Sequence, residues 1–166
     1  MKKTLIFIAV LSMTISLISC TQVAQVHRPR EEPVTWEHLS TENGDLEVPF
    51  EGDQQTASLV LDIDKDGRDD FVVTERTKSP SVVWYRSTKQ GFKKYIVDND
   101  KLRIEAGGTI LDIDKDGDID IVFAGDSRSN EIWWWENPYP NYDPQKNWQR
   151  RSIKNSGPNK HHDQQF

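Results

Sequence analysis

The sequence predicts an all-β chain made of two four-stranded antiparallel blades and the start of a third, an incomplete β-propeller. Three observations carry this expectation. The chain repeats itself after fifty residues, so that Leu61 to Ser87 aligns with Leu111 to Asn137 without a gap. Short runs rich in branched and aromatic residues recur at strand length, separated by clusters of Pro, Gly, Asn and Ser. Beyond the first twenty residues no segment sustains a helical periodicity. A repeat of this length marks architectures whose units bury their faces against one another.

Residues 1–20 read as an export leader, with Lys2 and Lys3 followed by an apolar run from Leu5 to Ile18. That run is too short and wrongly flanked for a membrane span, which needs about 20 apolar residues. Its end, "LISC" (Leu17 to Cys20), resembles the bacterial lipobox. The resemblance implies lipidation of Cys20 and an exported protein whose membrane contact is that lipid anchor, at the outer membrane or cell surface in a Gram-negative source. Cys20 is the single cysteine, so export brings no internal disulfide with it. Residues 21–35, polar and aperiodic, form a tether to the folded part, 36–166.

Within 36–166 the repeating units span about 57–98 and 107–154. The first contains the strand candidates "ASLVLDID", "DFVVTE", "SVVWYRS" and "FKKYIVD"; the second contains "GGTILDID", "DIVFAG", "EIWWWEN" and "NWQRRSIK". The connecting segments "TKSP", "TKQG", "SRSN" and "NPYPNYDP" carry the residues that reverse a chain. Side chains alternate across a strand, so Trp133 and Trp135 share one face while Trp134, the counterpart of Trp84, takes the other. Core packing between blades is the expected role of these rings; stacking of Trp134 on a sugar is the alternative. The closing "HHDQQF" stands where "EAGGTI" precedes the second Asp-rich loop, which makes it the entry to a third unit and the chain, by expectation, the N-terminal part of a longer protein or a truncated gene product.

The formal charge of −6 becomes −8 once Lys2 and Lys3 leave with the leader, a balance that argues against nucleic acid as a partner. Ten of the acidic residues fall in two segments, "LDIDKDGRDD" (Leu61 to Asp70) and "LDIDKDGDID" (Leu111 to Asp120). Carboxylates about 4 Å apart repel by roughly 4 kcal/mol at an effective dielectric near 20, so such crowding calls for a cation. Zinc wants His or Cys, which both loops lack. Calcium accepts six to eight oxygens in irregular geometry, whereas magnesium holds to a strict octahedron. The expected ligands of two Ca²⁺ sites are Asp62, Asp64, Asp66 and Asp70, with the carbonyl of Arg68, and Asp112, Asp114, Asp116 and Asp120, with the carbonyl of Asp118. Gly67 and Gly117 sit where the loop turns sharply. An EF-hand starts alike but ends in a glutamate at position 12 between helices; here that position holds Val73 or Phe123, and the flanks read as strands. Ile63 and Ile113, between the ligands, point inward as core.

The two loops are similar to the Asp-x-Asp-x-Asp-Gly-x-x-Asp loop of FG-GAP/VCBS repeat proteins, found also in integrin α-chain propellers. This resemblance covers about Ala57 to Ile153 and implies that each unit is a propeller blade with calcium in the loop between its first two strands. It further implies a binding or interaction module, with a glycan as the favoured ligand class. An alternative is the scaffold part of a propeller-type polysaccharide lyase or sugar dehydratase, and a purely structural adhesion protein with a protein ligand is a third. The chain reads as a binding module more than an enzyme: it has no phosphate loop, nucleophile elbow or zinc-protease motif, and Glu37, Glu75 and Glu105 lie scattered, without the spacing that would identify a catalytic pair. His161 and His162, beside Asp163, are the remaining candidates for ligand contact.

Overall fold

Strand β1 (Gln55–Leu61) opens the computed structural model's first sheet, followed by β2 (Asp70–Glu75), β3 (Val82–Thr88) and β4 (Gly91–Asp98). The second sheet holds β5 (Ile104–Leu111), β6 (Asp120–Gly125), β7 (Glu131–Glu136) and β8 (Gln149–Asn155). The structure describes residues 34–155, and among them there is no helix. Each sheet is an open antiparallel meander, in orders β1-β2-β3-β4 and β5-β6-β7-β8. The leader with Cys20, nearly all of the tether, and the terminal segment with His161 and His162 lie outside the described residues.

The sequence repeat is also a repeat of register. Leu61 pairs with Asp70 as Leu111 pairs with Asp120, and Val72 pairs with Trp84 as Val122 pairs with Trp134. A bulge at Val82/Val83 recurs at Ile132/Trp133. The approach strands end sooner than their apolar pattern suggests, at Leu61 and Leu111, because the aspartates that follow fold back on the loop backbone.

Both sheets belong to one compact unit that begins at Glu37. One face of the first sheet, with Val72, Val82, Trp84, Tyr95 and Val97, packs on a face of the second that carries Ile121, Phe123, Trp133 and Trp135. The latter are the fifty-residue counterparts of Phe71, Val73, Val83 and Tyr85, which lie on the first sheet's other face against Leu46 and Phe50. Trp134, with Val122, Ala124 and Ile132, correspondingly lies on the second sheet's other face. The sheets therefore stack head to tail, unlike faces in contact, the arrangement a heterologous interface requires. Trp135 is fully buried and its indole N–H donates to Asp98 Oδ2 at 2.8 Å.

The connection between β7 and β8, residues 137–148, is long because it covers the first sheet's edge. Ile96 N–H donates to the Pro144 carbonyl at 3.1 Å and Trp148 N–H to the Val97 carbonyl at 2.9 Å. This satisfies edge groups of β4 that would otherwise be free to pair with another chain. Trp148, expected inside the last strand, instead enters the core beside Trp84, their ring centroids 5.9 Å apart.

Candidate metal centre

Both Asp-rich segments are the loops between the first two strands of their sheets, and they take the same shape. Lys65 and Lys115 adopt φ of 59° and 65°, and Gly67 and Gly117 adopt 85° and 94°. Positive φ is uncommon for a lysine; carboxylates hold the backbone there. The carboxylate of Asp62 accepts from Asp66 N–H at 3.0 Å and Gly67 N–H at 2.9 Å, and that of Asp112 accepts from Gly117 N–H at 3.2 Å. Asp66 and Asp116 accept from the N–H of Arg68 and Asp118 at 3.0 and 2.9 Å.

This winding brings Asp62, Asp64 and Asp66 together, and likewise Asp112, Asp114 and Asp116, so that one oxygen from each lies within 4.8 Å of the other two. Asp70 and Asp120 are not among these three-carboxylate groups, though each still feels their charge, Asp70 that of Asp64 and Asp120 that of Asp114 and Asp116. Each is 1% exposed and spans its loop: Asp70 accepts from Ile63 N–H at 3.3 Å and Ser87 N–H at 2.7 Å, Asp120 from Ile113 N–H at 3.0 Å and Asn137 N–H at 2.9 Å. Burial pushes the Asp70 carboxyl up to about 6, against the pull of the Ser87 N–H; burial likewise raises Asp120. Ile63 is fully buried in the main core, and Ile113 packs partly buried beside Val122 and Trp134.

The loops differ in the cations the protein itself supplies. Arg86 pairs with Asp64 and Arg68 pairs with Asp66, so the first carboxylate group is partly neutralised. Among the described residues no ion pair reaches Asp112, Asp114 or Asp116. Lys65 crosses from the first loop to the second, where it pairs with Asp118 and donates to the Gly117 carbonyl at 2.8 Å. The Asp118 partnership raises the Lys65 ammonium pKa. Asp118 and Arg68 thus carry side-chain partners of their own, and only their carbonyls remain for the role expected at that position.

Whether a divalent ion fits is a question of donors. Each group offers three hard carboxylate oxygens, the chemistry that calcium prefers. In the second loop Asp112 Oδ1 is buried without a hydrogen-bond partner. A buried carboxylate oxygen left bare is costly, and a cation among the three aspartates would remove that cost. The residues fit a hard divalent cation.

Asn137 joins the two loops and was not distinguished by any spacing in the sequence. Its Nδ2 donates to the Ile63 and Ile119 carbonyls at 3.1 Å each, and its Oδ1 accepts from Tyr139 N–H at 3.2 Å and the Tyr142 hydroxyl at 3.0 Å. Burial pushes the Tyr142 hydroxyl above the usual tyrosine range.

No protein-family model, characterised protein or solved structure matches the chain. The resemblance to FG-GAP/VCBS repeats thus rests on the sequence of the two loops alone. Trp134, the candidate sugar platform, is 8% exposed, with the Arg151 guanidinium 5.5 Å from its ring centroid. It packs as core, as the alternation of faces favours.

Proposed function

We propose that each Asp loop binds one calcium ion, and that the two sheets are successive blades of a calcium-stabilised β-propeller module. The observation that carries this is the recurrence, fifty residues apart, of a three-carboxylate group in the same left-handed loop, one of them with a bare buried oxygen. Asp62, Asp64 and Asp66 hold one ion and Asp112, Asp114 and Asp116 the other. The ion supplies positive charge that lets these carboxylates stay ionised side by side, pinning the first hairpin of each sheet. Head-to-tail stacking supports the blade reading, since a face that repeats by translation can accept a further unit of the same kind.

On this reading the module serves binding rather than chemistry, as part of an exported lipoprotein anchored through Cys20, with a glycan or protein as its ligand. Melting of parent and Asp114→Ala, each with chelator and with calcium, is the test. Calcium raises the parent's Tm, and the variant melts earlier than the parent only when calcium is present. Coincident melting curves in calcium would remove the metal from the second loop.

A further inference from the structure

The strand ends opposite the Asp loops carry a second polar concavity. A pocket of about 350 Å³ opens between the turn after β2 and the turn after β6, lined by Gln54, Arg76, Thr77, Arg103, Asp126 and Arg128 among others. These two turns are repeat counterparts, and they have diverged: where the first has Arg76 the second has Asp126.

Asp126 is spent inside the protein. It is 3% exposed, accepts from Arg103 Nε at 3.2 Å and Arg103 NH2 at 2.5 Å, and takes the Arg128 backbone N–H at 2.9 Å. Burial would push its carboxyl up, but the Arg103 guanidinium outweighs it and holds the carboxyl below the usual range. Arg103 adopts φ of 57°, and its carbonyl accepts the Asp126 N–H at 2.7 Å, so backbone and side chain fix the guanidinium together. Arg76 is also fixed, its Nε donating to Gln54 Oε1 at 2.8 Å, its Nη2 donating to the same oxygen and its Nη1 pairing with Glu105. A guanidinium has five N–H donors, and these contacts use two of Arg103's and three of Arg76's. The Arg128 guanidinium makes no hydrogen bond or ion pair among the described residues.

Three arginines therefore line one pocket whose single lining carboxylate is already paired with Arg103, on a chain of net charge −6. Two of the three are held in place before any ligand arrives, which reduces the ordering cost of binding. Planar, pre-set guanidiniums match the paired oxygens of a carboxylate or the face of a sulfate or phosphate. The named lining is polar throughout, which suits a ligand that is hydroxylated on all sides more than a fatty or aromatic acid. The volume lies within the range of small-molecule sites.

We infer that the pocket between the Arg76 and Arg128 turns binds an acidic, sugar-sized ligand through its oxyanion. This assignment does not depend on calcium in the Asp loops, so it is tested on the full chain both with calcium and with chelator. Glucuronate, glucose, sulfate and phosphate are titrated against the protein while backbone and arginine Nε–Hε NMR signals are followed. Glucuronate is expected to shift Arg76, Arg103, Arg128 and Thr77 saturably, at least tenfold more tightly than glucose and more tightly than sulfate or phosphate. Arg128→Ala, at an exposed position, is expected to weaken glucuronate at least fivefold without changing Tm, and Arg76→Gln to weaken it at least fivefold as well. Absence of saturation at an affinity of about 1 mM or better would overturn the proposal. So would shifts that persist unchanged in both variants, and a preference for sulfate or phosphate would overturn the sugar-acid assignment.

Discussion

Asn137→Ala destabilises the fold far more than its place in a surface connection suggests. The side chain makes four hydrogen bonds and is 3% exposed. After truncation the Tyr142 hydroxyl, whose one proton no longer goes to Asn137, turns it to the Ile63 carbonyl 3.2 Å away, but the Ile119 carbonyl and the Tyr139 N–H lose their bonds. Two partly buried groups left bare, each near the low end of about 1–3 kcal/mol, give a loss of about 2 kcal/mol, a sizeable share of the roughly 5–15 kcal/mol that holds a domain together. Ser87 is the repeat counterpart of Asn137, and only its backbone N–H serves Asp70. Ser87→Ala retains that N–H and should stay within about 0.5 kcal/mol of the parent. Urea denaturation of both variants, with unchanged m-value, is the assay. A loss below about 1 kcal/mol for Asn137→Ala would refute the idea that this amide fastens the two loops together.

Arg86→Gln removes the internal cation from Asp64, so it destabilises the calcium-free protein and tightens the first loop's calcium affinity about tenfold; the partly exposed ion pair is screened well below its unscreened Coulomb value. Titration calorimetry reads the affinity and thermal denaturation in chelator reads the stability, and unchanged affinity would show that Arg86 and the ion do not compete. Glu75 is fully buried; burial would raise its carboxyl, but the Thr77, Gln54 and Lys78 donors win and lower it. Its ionised form therefore stabilises the fold above the usual carboxylate value, and that stability is lost as pH falls through the lowered folded value. Glu75→Gln should cost about 2 kcal/mol at pH 7, and the gap should close in acid; a gap independent of pH would contradict the assignment. Trp135→Ala opens the inter-sheet core and should cost about 3–5 kcal/mol, measured by chemical denaturation.

Much of the fold was legible because two signals agreed. The fifty-residue offset and the period-two alternation both located the strands, and "DFVVTE" and "DIVFAG" coincide with β2 and β6. The approach strands were read too far toward the loops because Asp62 and Asp112 interrupt no apolar pattern; only their bonds to the backbone show that the strand has ended. Trp148 reads as a strand residue by composition, yet it fills a gap beside Trp84 and Tyr142, a need set by another element.

At the site, the carboxylate spacing was visible in sequence, but its partners were not. Arg86, Lys65 and Asn137 reach the loops from β3, from the other loop and from a long connection, and no local spacing encodes such encounters. Asp70 and Asp120 fit the ligand pattern by number, and in the fold they also accept backbone N–H groups that tie each loop to its sheet. The arginine pocket draws on residues from both repeats that differ between the copies, so the repeat itself concealed it.

Calcium titration of the chelator-stripped chain by calorimetry tests the central claim most directly. Two ions per chain are expected, falling to one in Asp112→Asn/Asp114→Asn, with the second loop the tighter because, among the described residues, no ion pair reaches its three aspartates. No binding heat, or a stoichiometry that the double variant leaves unchanged, would contradict it.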